Sequence, residues 1–207
     1  SKINGVPYDE IGDSTSNLLR GAVVSLVIGG LIIAGLSAWM GWFGAAMRAY
    51  NRVLGNGRIE DWFIDSYREF VSLPSATRSY RALFLSLARP ERLPAVFHCT
   101  SGKDRTGWAA AALLTLLGVP KETVTADYLC TNEYILPQFA RVIDGFVAGD
   151  GDRAIAEAIF GVKAEYLRAS FEQMQEAYGS IEEYFAAALD IDAAGQQALK
   201  KLYLAKP

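Results

Sequence analysis

Histidine and cysteine are scarce in this sequence of 207 residues, which has one histidine, His98, and two cysteines, Cys99 and Cys130. The single histidine argues against a His-rich zinc site, and against a Ser-His-Asp triad with its base anywhere else in the chain. Two cysteines without a C-x-x-C pair do not make a disulfide framework. Basic residues are not in excess either, because 20 of them stand against 23 acidic residues, and the net charge of −3 argues against nucleic acid as a partner.

Apolar residues make up 51% of the sequence and aromatic residues 12%, which is enough for a substantial core and excludes wholesale disorder. A length of 207 residues suits one domain, so we expect a single domain over residues 1–207.

An uncharged stretch of 27 residues, 21–47, lies between Arg20 and Arg48. It is long enough to span a bilayer, and the small residues Gly30, Ala34 and Ala38 recur at a spacing that lets another helix approach closely. A glycine-rich hairpin or a pair of core helices would have the same composition. The sequence therefore leaves two interpretations: an apolar helical insertion in the core, or a segment that contacts the membrane. Because both interpretations of this segment are open, the protein could be cytoplasmic, secreted or membrane-associated.

The middle of the chain is predicted to be a strand, a loop and a buried helix. Residues 93–97 form a short apolar run typical of a buried strand, and a glycine-containing loop follows. Residues 108–117 are apolar nearly all round, as in a central helix. Periodicity and capping signals predict further helices over 59–73, 80–87, 122–134, 137–147, 153–178, from 180, and from 192 to 204.

The loop between that strand and that helix carries the candidate chemistry. Its sequence is His98-Cys99-Thr100-Ser101-Gly102-Lys103-Asp104-Arg105-Thr106-Gly107. A loop of this size that enters a helix N-terminus turns successive backbone N–H groups inward and forms a cradle for an anion. Arg105 can curl back and offer its guanidinium to two phosphate oxygens. We therefore predict a phosphate site formed by Thr100, Ser101, Gly102, Lys103, Arg105 and Thr106.

A cysteine at the base of such a cradle should have a lowered pKa, because the helix terminus and a nearby cation favour the thiolate. Cys99 is thus predicted to attack phosphorus and form a cysteinyl-phosphate. The oxygen that leaves phosphorus in this step needs a proton. Asp104 is the nearest acid that could supply it, and Asp13 is the alternative. Thr106 is placed to donate to the thiolate, and His98 to orient the loop. Cys130, in an apolar helical stretch, is predicted to be a small buried side chain.

Residues 98–107 resemble the signature of cysteine-based protein tyrosine phosphatases. More narrowly, they resemble that of the bacterial tyrosine/phosphoinositide phosphatases of the mycobacterial phosphatase B type. The similarity covers roughly residues 60–205 and continues through Leu117-Gly118-Val119-Pro120, Asp127-Tyr128-Leu129, Val162-x-x-Glu165-Tyr166-Leu167 and Tyr178-Gly179-Ser180.

The resemblance implies an α/β fold with a central sheet flanked by helices, no metal or other cofactor, and dephosphorylation of phosphotyrosine proteins, with phosphoinositide lipids as further substrates. It implies Asp104 as general acid, Lys103 in phosphoinositide recognition, Gly107 as a supporting residue, and a hydrophobic lid from helices within 135–175. The N-terminal motifs that the family normally has do not occur here, so part of the sheet is expected to be missing.

Two alternatives to a dual-specificity tyrosine phosphatase remain open. The first is a membrane-associated phosphoinositide phosphatase with little protein activity, or an adaptor tethered through 21–47. The second is a non-catalytic module that only binds phosphate, which the presence of both Cys99 and Arg105 disfavours.

Overall fold

The computed structural model describes residues 2–3, 6–7, 45–46, 48–49 and 51–204. The chain divides into two compact units, residues 1–49 and 50–207. In the first unit, strands β1 (Lys2–Ile3) and β2 (Val6–Pro7) pair antiparallel, with Lys2 opposite Pro7 and Ile3 opposite Val6. Residues 45–46 and 48–49 are helical.

The second unit is built from helices. After helical residues 51–54 come α1 (Arg58–Ser72), α2 (Pro74–Leu87), a short 3₁₀ helix (Pro90–Arg92), α3 (Asp104–Leu116), α4 (Lys121–Ala148), α5 (Arg153–Phe160), α6 (Ala164–Tyr178), α7 (Ile181–Glu183), a π-helical turn (Tyr184–Ala188) and α8 (Ala193–Tyr203).

The packing of α1 follows from its sequence pattern. Its buried residues Ile59, Phe63, Tyr67 and Val71 recur every four positions and form one apolar face. That face packs on α6, where the Phe63 and Tyr166 rings stack with centroids 5.0 Å apart. The α6 side chain Ser170 donates to the backbone carbonyl of Tyr67 over 2.6 Å, which ties the two helices together in the buried interface.

Helix α3 is central, as its nearly continuous apolar sequence predicts. Trp108 is fully buried, and its ring contacts Phe171 of α6 and Tyr184 of the π-helical turn. The surrounding helices therefore hold the first turn of α3 in place, and that turn carries Asp104 and Arg105.

The predicted central sheet is wrong for this structure. Residues 93–97 are not assigned to a strand, and the sole strand pairing within the described residues is the one between β1 and β2. A strand is defined by hydrogen bonds to a neighbour, so an apolar run alone does not make one. Val96 shows the result, since 93% of its surface is exposed. The described part of the second unit is helical. Of the predicted strand, loop and buried helix, only the loop and the helix are present.

Three predicted helices also differ. Helix α2 begins at Pro74, six residues before the start predicted for it. Helix α4 continues through Pro137, whereas the sequence predicts two helices separated between 134 and 137. Conversely, the helix predicted over 153–178 is divided into α5 and α6 at Gly161. A Cβ on Gly161 would lie 2.8 Å from the Glu157 carbonyl oxygen and 2.9 Å from Asn132 Oδ1, so the close approach of α4 requires glycine there.

The segment 21–47 lies outside the described residues except for 45–46, so both of its interpretations stay predictions. Asp13 also lies outside them. No helix among the described residues combines the length and the apolar character needed to cross a bilayer. The prediction for Cys130 is wrong, because its side chain is exposed. The buried positions of that part of α4 are Val124 and Tyr128, and Cys130 lies about 200° around the helix from Tyr128.

Candidate active site

The loop from His98 to Lys103 leads directly into α3, which begins at Asp104. Gly102 has a φ of +73°, a left-handed conformation that favours glycine, and it turns the chain into the helix. The backbone N–H of Gly107 then donates to the Lys103 carbonyl over 3.0 Å and closes the first helical turn. The residues that the sequence placed in a phosphate cradle are thus held in one loop and one helical turn.

Cys99 is the partly buried centre of this loop. Its burial alone would raise the pKa of the thiol, but the hydroxyl of Thr106 and the backbone N–H groups of Thr106, Gly102 and Ser101 donate to the sulfur and lower the pKa to about 6. The thiolate is therefore the main form at neutral pH. The lowered pKa agrees with the prediction, and the donors that cause it are the Thr106 hydroxyl and the N–H groups of the loop and of the first turn of α3.

Thr106 contacts Cys99 twice. Its hydroxyl accepts a hydrogen bond from the Cys99 backbone N–H over 2.8 Å and donates its own proton to the sulfur. His98 lies beside them, with Nδ1 2.9 Å from the Cys99 carbonyl oxygen, so the tautomer with a proton on Nδ1 donates to that carbonyl.

Arg105 faces solvent at the mouth of the loop. Its Nη2 donates to Thr100 Oγ1 over 3.1 Å, so the guanidinium bends back across the loop. Its backbone carbonyl accepts from the Tyr80 hydroxyl, 3.3 Å away on α2. This arrangement leaves most of the guanidinium donors for a bound oxyanion.

Asp104 and Lys103 form an ion pair beside the loop. Lys103 Nζ lies 2.8 Å from Asp104 Oδ1 and also donates to the Gly161 carbonyl over 3.1 Å. Its ammonium stands 4.8 Å from the centroid of the Phe63 ring. Lys103 is only 5% exposed, so its charge is directed into the protein and toward Asp104. The predicted contact between Lys103 and a bound phosphate stays a prediction.

Two tyrosines that the sequence argument missed complete the surroundings of Asp104. The Tyr67 hydroxyl donates to Asp104 Oδ1 over 2.9 Å, and the Tyr128 hydroxyl lies 2.6 Å from that of Tyr67. Since the single hydroxyl proton of Tyr67 is used on Asp104, Tyr128 is the donor in the second bond. Tyr67 lies on an apolar helix face, so its sequence context predicts only a core residue. Tyr128 occurs in the motif Asp127-Tyr128-Leu129, which was the one feature of the sequence that could have pointed to a functional role for either tyrosine.

Gly107 permits the close packing of the Tyr128 ring against α3. A Cβ at that position would lie 2.8 Å from the Tyr128 ring, closer than real side chains approach. Glycine therefore lets the Tyr128 ring of α4 pack directly against the first turn of α3.

Within the part of the chain that the structure describes, two cavities adjoin the loop. One, of about 480 Å³, reaches Cys99, Arg105 and Thr106 and has mostly apolar walls, which include Phe70, Leu73, Tyr80, Leu83 and Phe97. The other, of about 490 Å³, lies between the loop and α4 and is lined by Ser101, Gly102, Thr131, Tyr134, Ile135, Gln138 and Phe139. Within the described residues, no group of three or more His, Cys, Asp or Glu side chains is arranged to hold a metal ion.

Known proteins share this sequence pattern. Residues 41–205 match the model of the tyrosine phosphatase family. A Cupriavidus necator protein that carries the name of a tyrosine-protein phosphatase is 40% identical over 100 residues, which are 48% of this chain and 36% of that protein. The triple specificity protein phosphatase PtpB of Mycobacterium tuberculosis is 31% identical over 135 residues, 59% of this chain and 48% of its own. The chain thus spans about half or less of the length of these relatives.

Proposed function

Because the chain belongs to the tyrosine phosphatase family, we propose that it hydrolyses phosphomonoesters of phosphotyrosine proteins through a cysteinyl-phosphate on Cys99. The observation that carries the proposal is the Cys99 thiol, whose pKa is lowered to about 6 by hydrogen bonds from Thr106, Gly102 and Ser101. The names of the relatives, a tyrosine-protein phosphatase and a triple specificity protein phosphatase, support the same class of reaction.

In the first step, the Cys99 thiolate attacks phosphorus in line with the ester oxygen. The S–P bond forms as the P–O bond breaks. For this step the Asp104 carboxylate has first taken up a proton, so that its contact with Lys103 is a hydrogen bond from the ammonium, and the carboxyl gives that proton to the leaving oxygen. The products are a cysteinyl-phosphate, a free phenol and the Asp104 carboxylate. The Arg105 guanidinium and the loop N–H groups hold the phosphoryl oxygens as negative charge shifts among them.

In the second step, water attacks the phosphorus of the cysteinyl-phosphate. The Asp104 carboxylate takes a proton from that water while the new P–O bond forms and the S–P bond breaks. Inorganic phosphate leaves, and the Cys99 thiolate and the neutral Asp104 carboxyl are restored. Neither step needs a metal or another cofactor.

Phosphotyrosine proteins are the proposed main substrates, with phosphoinositide lipids second. Two features favour lipids as substrates: Lys103 and the apolar segment 21–47. The Lys103 ammonium is bound to Asp104 and the Gly161 carbonyl, so it favours a lipid headgroup less than the sequence alone suggests. A purely phosphate-binding module is disfavoured because binding needs no lowered thiol pKa.

The test is phosphate release by the wild type, Cys99→Ser and Cys130→Ser, measured on a phosphotyrosine peptide and on a soluble phosphatidylinositol monophosphate. We expect turnover of the peptide by the wild type and Cys130→Ser, and loss of it in Cys99→Ser. Cys130→Ser is the matched control, since that thiol is exposed on α4. Turnover that persists in Cys99→Ser, or a folded wild type that binds phosphate without turnover, would refute the proposal. The ratio of the two rates identifies the preferred substrate class.

A further inference from the structure

We propose that Tyr67 is a positioning residue that orients the Asp104 carboxyl for proton transfer, with Tyr128 holding Tyr67 in its donor orientation. This inference rests on the proposed function. It starts from a chain of two hydrogen bonds, from the Tyr128 hydroxyl to that of Tyr67 over 2.6 Å and from Tyr67 to Asp104 Oδ1 over 2.9 Å.

Both donors to Asp104 act on the same oxygen. Lys103 Nζ and the Tyr67 hydroxyl each bond Oδ1, and neither bonds Oδ2. An oxygen that already accepts two hydrogen bonds, one of them from a cation, is the weaker base of the pair. The transferable proton therefore belongs on Oδ2. The two donors approach Oδ1 from α1 and from the loop, and together they restrict rotation of the carboxyl group. The orientation of Oδ2 is therefore fixed.

Tyr67 is itself held rigidly. It is fully buried, and its backbone carbonyl accepts from Ser170 of α6. Its ring contacts those of Phe70, Tyr128 and Tyr166, with centroids 4.9, 6.3 and 5.7 Å away. Burial, followed by the neighbouring Tyr128 and Asp104, raises the pKa of Tyr67 far above its ordinary value, so the hydroxyl stays protonated as a donor.

A positioning role predicts a dependence on the leaving group. A phenol of high pKa needs a proton as its P–O bond breaks, whereas a strongly acidic phenol leaves without one. Removal of the Tyr67 hydroxyl should therefore slow the poor leaving group and spare the good one. A merely structural role of Tyr67 would affect both alike.

The experiment measures kcat/KM, which reports on the steps up to cysteinyl-phosphate formation, for phenyl phosphate, 4-nitrophenyl phosphate and 2,4-dinitrophenyl phosphate. For Tyr67→Phe we expect about a tenfold loss on phenyl phosphate and less than about twofold on 2,4-dinitrophenyl phosphate. Tyr128→Phe should show the same trend with a smaller loss. In an Asp104→Asn background, Tyr67→Phe should cause no further loss on phenyl phosphate.

Tyr166→Phe is the matched control. Tyr166 belongs to the same ring cluster and is fully buried, and its hydroxyl has no hydrogen-bond partner in the described part of the chain. Its kcat/KM should change equally little on all three esters. An equal loss on all three esters in Tyr67→Phe, or a loss that persists with Asp104→Asn, would overturn the positioning role while leaving the phosphatase proposal intact. A folded wild type without turnover of any ester would refute both.

Discussion

The Thr106 hydroxyl accepts from the Cys99 backbone N–H at 2.8 Å and donates to the Cys99 sulfur. The N–H group takes one lone pair of the hydroxyl and so directs its proton toward the sulfur. Among the donors that stabilise the thiolate, the Thr106 hydroxyl makes the largest contribution to the lowered pKa.

Replacement of Thr106 by valine should therefore raise the pKa of Cys99 above about 6, toward the ordinary value of a thiol. Only the thiolate reacts with iodoacetamide, so alkylation below the new pKa becomes slower, by about tenfold at pH 6. Alkylation rates from pH 4 to 10 give the midpoint directly. Thr106→Ser keeps the hydroxyl and should keep the wild-type midpoint. An unchanged midpoint of Cys99 alkylation in Thr106→Val would show that the Thr106 hydroxyl does not lower the pKa of Cys99.

Arg105→Lys tests the proposed binding of phosphate by the Arg105 guanidinium, separately from the Cys99 thiol. Lysine keeps the charge but lacks the planar fork that binds two oxygens at once, so we expect kcat/KM on a phosphotyrosine peptide to fall by about 100-fold. The alkylation midpoint of Cys99 should stay near 6, because the donors that lower its pKa are Thr106, Gly102 and Ser101. A large shift of that midpoint would show that Arg105 also sets the thiol pKa.

Gly107→Ala should destabilise the fold through α4. The added Cβ would meet the Tyr128 ring at 2.8 Å, and displacement of that ring costs about 1–3 kcal/mol. Chemical denaturation measures the loss. The control is Gly145→Ala on α4, where the Cβ meets nothing within 4 Å and a gain of about 0.5–1 kcal/mol is expected. Equal stabilities of Gly107→Ala and the wild type would mean that Tyr128 moves without cost.

Lys103→Met separates two roles of this lysine. If its ammonium serves Asp104, as the 2.8 Å contact indicates, the rates on a phosphotyrosine peptide and on a soluble phosphatidylinositol monophosphate should fall by the same factor. If Lys103 instead binds the lipid headgroup, its replacement would lower the rate on the lipid alone. Lys163→Met removes an ion pair with Glu60 at 2.7 Å and should change neither rate.

The sequence by itself determined which side chains the loop brings together. Residues 98–107 follow one another in the chain, so the spacing of Cys99, Gly102, Arg105 and Thr106 already places the thiol within reach of the loop donors. The apolar faces of α1 and α3 were predictable for the same reason, since helical periodicity is local.

Tertiary structure decided the surroundings of that loop. Tyr67 and Tyr128 lie 37 and 24 positions from Asp104, on two different helices, and the Gly161 carbonyl lies 58 positions from Lys103. No spacing rule connects residues so far apart, so the donors to Asp104 and the inward direction of Lys103 follow only from how the helices pack. The sheet was misjudged for a related reason: residues 93–97 have the composition of a strand, but a strand requires a neighbouring chain segment that a local pattern does not specify.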